Sequence, residues 1–370
     1  MKAKKIIFEI CRILTGLVFI FSGTVKAIDP LGTEYKITDY LMAMNLESLS
    51  FLATVGAFAL FGLEFVAGVC LVTRMNFKIG LWLSSLFMVV MTPLTVWIAL
   101  TDPVSDCGCF GDALVLTNWQ TLYKNIVLDI LIIIMWLFKS VSRSWKTTIL
   151  SWIISFVALC VVVGFGIATL FSIPVMDFRP YYVGSDIREQ MLQPIGTHPD
   201  KYETTFIYSK NGVEKEFALM DVPVGDSTWV FVDQKTTLVE KGVLPPIHDF
   251  IIETMDGEDI TDEILDDNGK TYMVVMWDLN KTDTTKEIMD GIARLYNKAR
   301  KEGARFIGLT ASDDITLTRF VEENNIEYEI CFMDPIQLKT MVRANPGIFV
   351  VEKGKVVEKY NARKLMQKTK

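Results

Sequence analysis

Two thiols stand one residue apart in the segment Asp106-Cys107-Gly108-Cys109-Phe110-Gly111-Asp112. Cysteines separated by a single glycine can close a small ring whose geometry departs from relaxed disulfide values, and strained, exposed bridges are the more oxidising and more readily exchanged ones. Gly108 permits the tight turn and Gly111 serves the next bend. Three chemistries fit the pair: thiol–disulfide cycling, a fixed structural disulfide, or copper(I) held by two soft thiolates. Zinc is poorly served, because the chain has only two histidines, His198 and His248, and neither is near. No metal site is expected. Cys11, Cys70 and Cys160 fall inside apolar runs, where cysteine acts as a small hydrophobe. Cys331 is the one other cysteine that could meet the pair.

The segment sits between long apolar stretches. A helix crossing the hydrocarbon core needs roughly 20 mostly apolar residues. Ile6–Ile28, Phe51–Val72, Ile79–Leu100 and Thr148–Ile173 meet that length, and Asn125–Phe138 approaches it. Glu9 and Arg12 interrupt the first, which reads as an anchor and not a cleavable leader. Lysine and arginine collect on one side: Lys2, Lys4 and Lys5, then Arg74 and Lys78, then Lys139, Arg143 and Lys146. The connections between residues 29 and 50 and between 101 and 123 are acidic or nearly free of cations. By the positive-inside bias the N-terminus is cytoplasmic. The two-cysteine segment and everything beyond residue 174 then face outward, where disulfides persist. The expected location is the cytoplasmic (inner) membrane, with the C-terminal half periplasmic or otherwise extracytoplasmic.

Ionisable side chains within spans are costly and mark functional interiors. Lys26, Glu64 and Asp129 are the candidates. Lys26 and Asp129 lie near the outward ends of their helices and could pair beneath the cysteines. Glu64 lies deeper, about 20 Å from the outer end at 1.5 Å per residue, and could accept a proton or anchor the head of a quinone. The plainer reading makes all three polar contacts that specify the bundle.

The run Phe21-Ser22-Gly23-Thr24-Val25-Lys26-Ala27-Ile28-Asp29-Pro30, Glu64 in the second span and Asp106-Cys107-Gly108-Cys109-Phe110-Gly111 after the third together resemble the MauE family, within the wider DoxX-like group of four-helix membrane proteins. The resemblance covers residues 5 to 140. It implies a thiol–disulfide or quinone-linked role in maturing exported proteins, without making methylamine a substrate here.

Beyond residue 174 the composition becomes ordinary and charged. The net charge of −7 comes mostly from this half, and no basic face suggests nucleic acid. Thr204–Ser209 and Val213–Leu219 flank Lys210-Asn211-Gly212, a hairpin signal. From Leu244 strands alternate with helices, as in a mixed sheet covered on both faces. Pro246-Ile247-His248-Asp249-Phe250, Gly269-Lys270 before a strand ending in Trp277, and Pro346 before the penultimate strand resemble the membrane-tethered thioredoxin-fold proteins that support cytochrome maturation. The resemblance makes Pro346 the family's cis-proline. Where active relatives carry Cys-x-x-Cys, this chain has Lys281 and Thr284. No disulfide can form there.

The expected fold is an α-helical membrane bundle, a four-helix core (residues 1–140) plus a fifth spanning helix (141–174). A small β-rich module (175–243) and an extracytoplasmic thioredoxin-like α/β domain (244–370) follow. The expected function is thiol–disulfide or quinone-linked electron transfer through Cys107 and Cys109, with the outer domain presenting an extracytoplasmic client protein. The competing reading is a non-enzymatic assembly protein whose bridge is structural and whose outer domain docks partners beside Pro346. Expected partners are that client, with cysteine-containing proteins among the candidates, and membrane lipid.

Overall fold

The computed structural model describes residues 2–104, 106–139, 148–210, 212–223, 225–240 and 242–368. Arg143, Lys146 and the hairpin's Asn211 lie outside them. Among the described residues five helical stretches are long and apolar enough to cross a membrane: Lys2–Ile28, Glu47–Thr73, Phe77–Thr101, Asn118–Leu137 and Ile149–Leu170. In chain order the helices are α1 (Lys2–Ile28), α2 (Pro30–Ala43), α3 (Ala53–Thr73), α4 (Phe77–Thr101), α5 (Asn118–Leu137) and α6 (Ile149–Leu170).

Small residues set the central contact. A Cβ on Gly23 would stand 2.8 Å from the backbone of both Phe61 and Phe65, and one on Gly68 would stand 2.6 Å from the Gly16 carbonyl. Without side chains there, α1 and α3 approach backbone to backbone, as membrane helices do at small-residue stripes. That approach turns Ser22 and Lys26 of α1 toward Glu64 of α3. Leu86, Val89 and Val90 of α4 and Ile130 and Ile133 of α5 stay exposed, as a lipid-facing surface requires.

Two departures from the sequence reading matter for the site. The acidic connection after α1 is itself helical: Asp29 caps α2 by accepting from the Gly32 N–H, with Pro30 at the first position. The fourth span is longer than its apolar run, beginning at a capping box formed by Thr117 and Gln120. Polar residues at Asn118, Gln120 and Lys124 had hidden its first two turns.

The outer part holds α7 (Ile187–Met191), β1 (Lys201–Lys210), β2 (Val213–Ala218), β3 (Val230–Glu240), α8 (Thr261–Asp266), β4 (Lys270–Val275), α9 (Lys286–Glu302), β5 (Arg305–Thr310), α10 (Asp314–Asn324), β6 (Glu329–Phe332), α11 (Pro335–Met341), β7 (Gly347–Glu352) and β8 (Lys355–Asn361). The first three strands form an antiparallel sheet ordered β2-β1-β3. The rest form a five-stranded sheet ordered β6-β5-β4-β7-β8, with β4, β5 and β6 parallel and β7 and β8 antiparallel. Central β4 is buried from Thr271 onward, matching its unbroken apolar run. α8 and α11 cover one face through Ile264, Leu338 and Met341; α9 and α10 cover the other through Ile288, Ile292 and Phe320.

The stretch 175–243 is not one module. Tyr181 and Ile187 are fully buried in the core of the thioredoxin-like domain, and Val356 N–H donates to the Ser185 carbonyl. Two large apolar side chains gain more from that core than from a small sheet exposed on both faces.

Candidate functional site

Cys107 and Cys109 lie in the connection from α4 to α5. Asn118, the first residue of α5, ties that connection down: its Nδ2 donates to Asp102 at 2.6 Å and to the Val104 carbonyl at 2.9 Å. Gly108 sits at φ +65° and Gly111 at φ +52°, the left-handed turns that glycine adopts freely. Asp106 closes the turn by accepting from the Gly108 N–H at 2.8 Å and pairs with Lys36 of α2 at 2.7 Å.

The two sulfurs are 2.8 Å apart, close enough that oxidation needs little movement. The loop does not rest on the bundle surface, and the pair is not exposed: Cys107 and Cys109 are 4% and 8% accessible. Tyr40 of α2 donates to the Cys107 carbonyl at 2.6 Å, and Ser22 of α1 reaches the Cys109 carbonyl at 2.8 Å. The ring of Phe110 packs edge-on against Phe21, and Lys124 lies over it at 4.6 Å.

Beneath the loop, Lys26 Nζ donates to both carboxylate oxygens of Glu64 and to Ser22 Oγ, each at 2.8 Å. Ser22 Oγ is also 2.9 Å from Glu64 Oε2. It carries one proton for two acceptors, the Glu64 carboxylate and the Cys109 carbonyl. The pairing of Lys26 with Asp129 expected from sequence does not form. Asp129 accepts instead from Thr92 of α4 at 2.8 Å. The reason is rotation: Lys26 lies one turn beyond Ser22, on the α1 face that Gly23 presses against α3.

The site separates the two thiols. Cys109 is held below the ordinary thiol value by the hydrogen bond from Cys107, with Lys124 and Lys26 adding to it against the opposing effect of burial. Cys107 is pushed up by that same bond and by burial. Of the two, Cys109 is the one whose surroundings favour the thiolate.

Below Cys109 a gap lined by Ser22, Glu64, Met91, Phe110 and Lys124 has a volume of about 30 Å³. A benzene ring is held by a cavity of about 150 Å³. As it stands, this gap is too small to enclose a quinone ring.

The thioredoxin-like domain covers the loop. Arg343, two residues before Asn345, reaches across to Asp29 at 2.9 Å and Asp112 at 3.3 Å. Trp277 meets the ring of Tyr35 edge-on, and Lys339 lies over both rings at 5.0 and 5.1 Å. The Asn345–Pro346 peptide is cis. Pro346 borders a gap of about 240 Å³ whose far wall is Leu31 and Tyr35 of α2 and Phe171. Lys281 ends a short 3-10 turn, paired with Asp278 at 3.2 Å, and Thr284 is exposed before α9. Cys331 is fully buried in β6, in the core of its own domain. Ser22, Lys36, Tyr40, Lys124 and Arg343 were given no role at the site from the sequence. Only Ser22 and Lys124 carried a signal, as polar residues in or beside an apolar run.

Comparison with known proteins agrees with this division. Residues 4–138 match the family of methylamine utilisation protein MauE, and residues 243–360 match the AhpC/TSA family. The chain joins a MauE-type membrane region to a thioredoxin-like domain. Residues 202–241, the small sheet, match a domain family of unknown function. Among solved structures, a putative protein disulfide isomerase from Bacteroides thetaiotaomicron is 14% identical over 32% of this chain and 82% of its own, with a TM-score of 0.26. StoA from Bacillus subtilis is 17% identical over 33% of this chain and 96% of its own, also at 0.26. A putative thiol:disulfide interchange protein DsbE from Chlorobium tepidum is 16% identical over 31% and 81%, at 0.25. Among curated proteins none matches.

Proposed function

We propose that this protein is a membrane thiol oxidant whose working disulfide is Cys107–Cys109 and whose thioredoxin-like domain is a redox-inert cap. The membrane is the cytoplasmic one and the loop faces outward, as the lysine and arginine distribution favours. The observation that carries the reading is geometric: two sulfurs 2.8 Å apart in one loop, with the cations Lys26 and Lys124 beside Cys109.

A stabilised thiolate makes the disulfide oxidising, because reduction yields a favoured product. Lys124 and Lys26 favour negative charge on Cys109 whether or not Cys107 carries a proton, so Cys109 is the better leaving group and an incoming substrate thiolate attacks Cys107 Sγ. The Cys107–Cys109 bond breaks and Cys109 departs as thiolate. A second substrate thiolate then attacks the substrate sulfur of the mixed disulfide, forming the substrate disulfide and freeing Cys107. The electron pair passes from two substrate thiols to the cysteine pair. One of their protons ends on Cys107 and the other is released. Ser22 and Tyr40 hold the loop backbone during the exchange, and Lys26 and Lys124 supply positive charge to Cys109.

The cap reading of the outer domain rests on what its Trp277 and Pro346 face touches. α2 stands where a docking groove would open. The test is trapping in intact cells: Cys109→Ser should accumulate a mixed disulfide through Cys107, and Cys107→Ser should not. Absence of any mixed disulfide in Cys109→Ser, with folding retained, would overturn thiol exchange.

A further inference from the structure

A second cavity, of about 290 Å³, lies between the Cys-Gly-Cys loop and the cap. That is the lower end of the range of roughly 300–1,000 Å³ typical of small-molecule sites. Gly108 forms part of its wall, under the side chain of Lys36.

Most charges around it are committed to one another. Asp29 and Asp112 belong to Arg343, Asp106 to Lys36, and Lys26 to Glu64. Three groups keep a polar atom in reserve. Arg179 is 3% accessible; its Nε holds Asp177 at 2.8 Å and its Nη1 donates to the Thr340 carbonyl at 2.8 Å. Its Nη2 has no partner among the described residues. A buried guanidinium donor left open is costly, and a ligand acceptor there would remove the cost. Lys339 is half-buried against Tyr35 and Trp277, with aromatic faces but no hydrogen-bond acceptor among the described residues. Asp39 lines the same space and faces Lys36 and Lys339 without an ion pair to either among the described residues. Two open donors and one open acceptor in a small, otherwise neutralised chamber match a small molecule that carries both charges.

We propose that this cavity binds a low-molecular-weight zwitterionic thiol, its carboxylate on Arg179 and Lys339 and its ammonium on Asp39. The proposal rests on the thiol-oxidant reading and names its substrate class. Two copies of such a thiol reduce the pair in the steps already balanced, and leave as their disulfide. Neither sulfur lines the cavity, which meets their loop at Asp106, Gly108, Gly111 and Asp112 with Lys36 over Gly108, so the loop must shift for the bound thiol to reach them.

Binding is measured apart from chemistry. The full chain carrying Cys107→Ala and Cys109→Ala, in detergent micelles, is titrated with S-methylglutathione, which has an ammonium and carboxylates but no free thiol. Saturable binding is expected, weakened about tenfold or more (1.4 kcal/mol per decade) by Lys339→Gln and by Asp39→Asn. An amine thioether lacking carboxylates should bind at least that much more weakly. Arg179→Gln should behave like Lys339→Gln; should it misfold, the Lys339 and Asp39 variants decide. No saturable binding, or affinity unchanged by both of those substitutions, overturns the site. Intact binding beside absent thiol oxidation by the unsubstituted chain would instead sink the redox reading and leave the site standing.

Discussion

Lys26 and Glu64 form a two-oxygen ion pair, 2.8 Å to each, with both side chains under 10% accessible and 38 residues apart in sequence. They stand on neighbouring spans, where a charge without its partner has no water to turn to. Removing one partner of a buried pair costs about 3–5 kcal/mol, whereas replacing both by apolar groups is often close to neutral. Glu64→Gln should therefore lower folded yield and thermal stability in detergent sharply, and Lys26→Met with Glu64→Leu should recover most of the loss. Equal damage from the single and double replacements would show that the pair is not a closed unit.

The same cation bears on Cys109, and this can be read by titrating thiolate absorbance. A thiol held below its ordinary 9.0 ionises at lower pH, so the signal should rise with a midpoint below 9.0. Cys107→Ala removes the largest cause and should move the midpoint up toward the ordinary 9.0. Lys124→Met should move it up by less. A midpoint near 9 in the unsubstituted chain would remove the reason for making Cys109 the leaving group.

Arg343 is the latch of the cap. It lies 314 residues from Asp29, yet its guanidinium is buried between Asp29 and Asp112. Truncating one member of a buried charge pair at an interface costs about 2–5 kcal/mol. Arg343→Ala should let the cap lift, raising amide hydrogen exchange across residues 106–112 by at least tenfold while α9 and β4 stay protected. Unchanged exchange in that loop would mean that Trp277 and Tyr35 hold the cap unaided.

How far the sequence could be read follows from the range of each signal. Apolar runs and the Asn345-Pro346 landmark are local, and they mark the spans and the outer fold. The replacement of both active cysteines by Lys281 and Thr284 is likewise written in a few consecutive letters. Lys26 was legible as a site but its partner was not, because that depends on helix rotation, set by Gly23 against Phe61 and Phe65. The depth of the cysteines was misread for a related reason. The loop is drawn in by contacts from two other helices, Ser22 of α1 to the Cys109 carbonyl and Tyr40 of α2 to the Cys107 carbonyl, and no local pattern displays them. α2 itself was missed because its cap, Asp29, sat in what reads as an acidic loop. Arg343 takes its role from a contact hundreds of residues away, which no local pattern displays.

The outer domain carries its own pH signature at Lys359. Its Nζ is buried, donates to the Tyr181 carbonyl at 2.8 Å and the Met341 carbonyl at 3.1 Å, and pairs with Asp177. Burial, reinforced by nearby Arg179, brings this lysine down from 10.5 to about 8. The unfolded chain keeps the proton to about pH 10.5, and the folded chain releases it near 8. Between those values the unfolded state binds more protons, so stability rises with pH, by at most about 1.4 kcal/mol per unit. Below pH 8 both states are charged and the cost of burying the ammonium is present in full. Melting of the full chain should therefore shift upward from pH 8 to roughly 9.5, short of the range where ordinary tyrosines ionise. Lys359→Met, with no proton to release, should lack that component. Parallel curves for the two proteins would show that Lys359 stays protonated in the fold and that Asp177 offsets its burial.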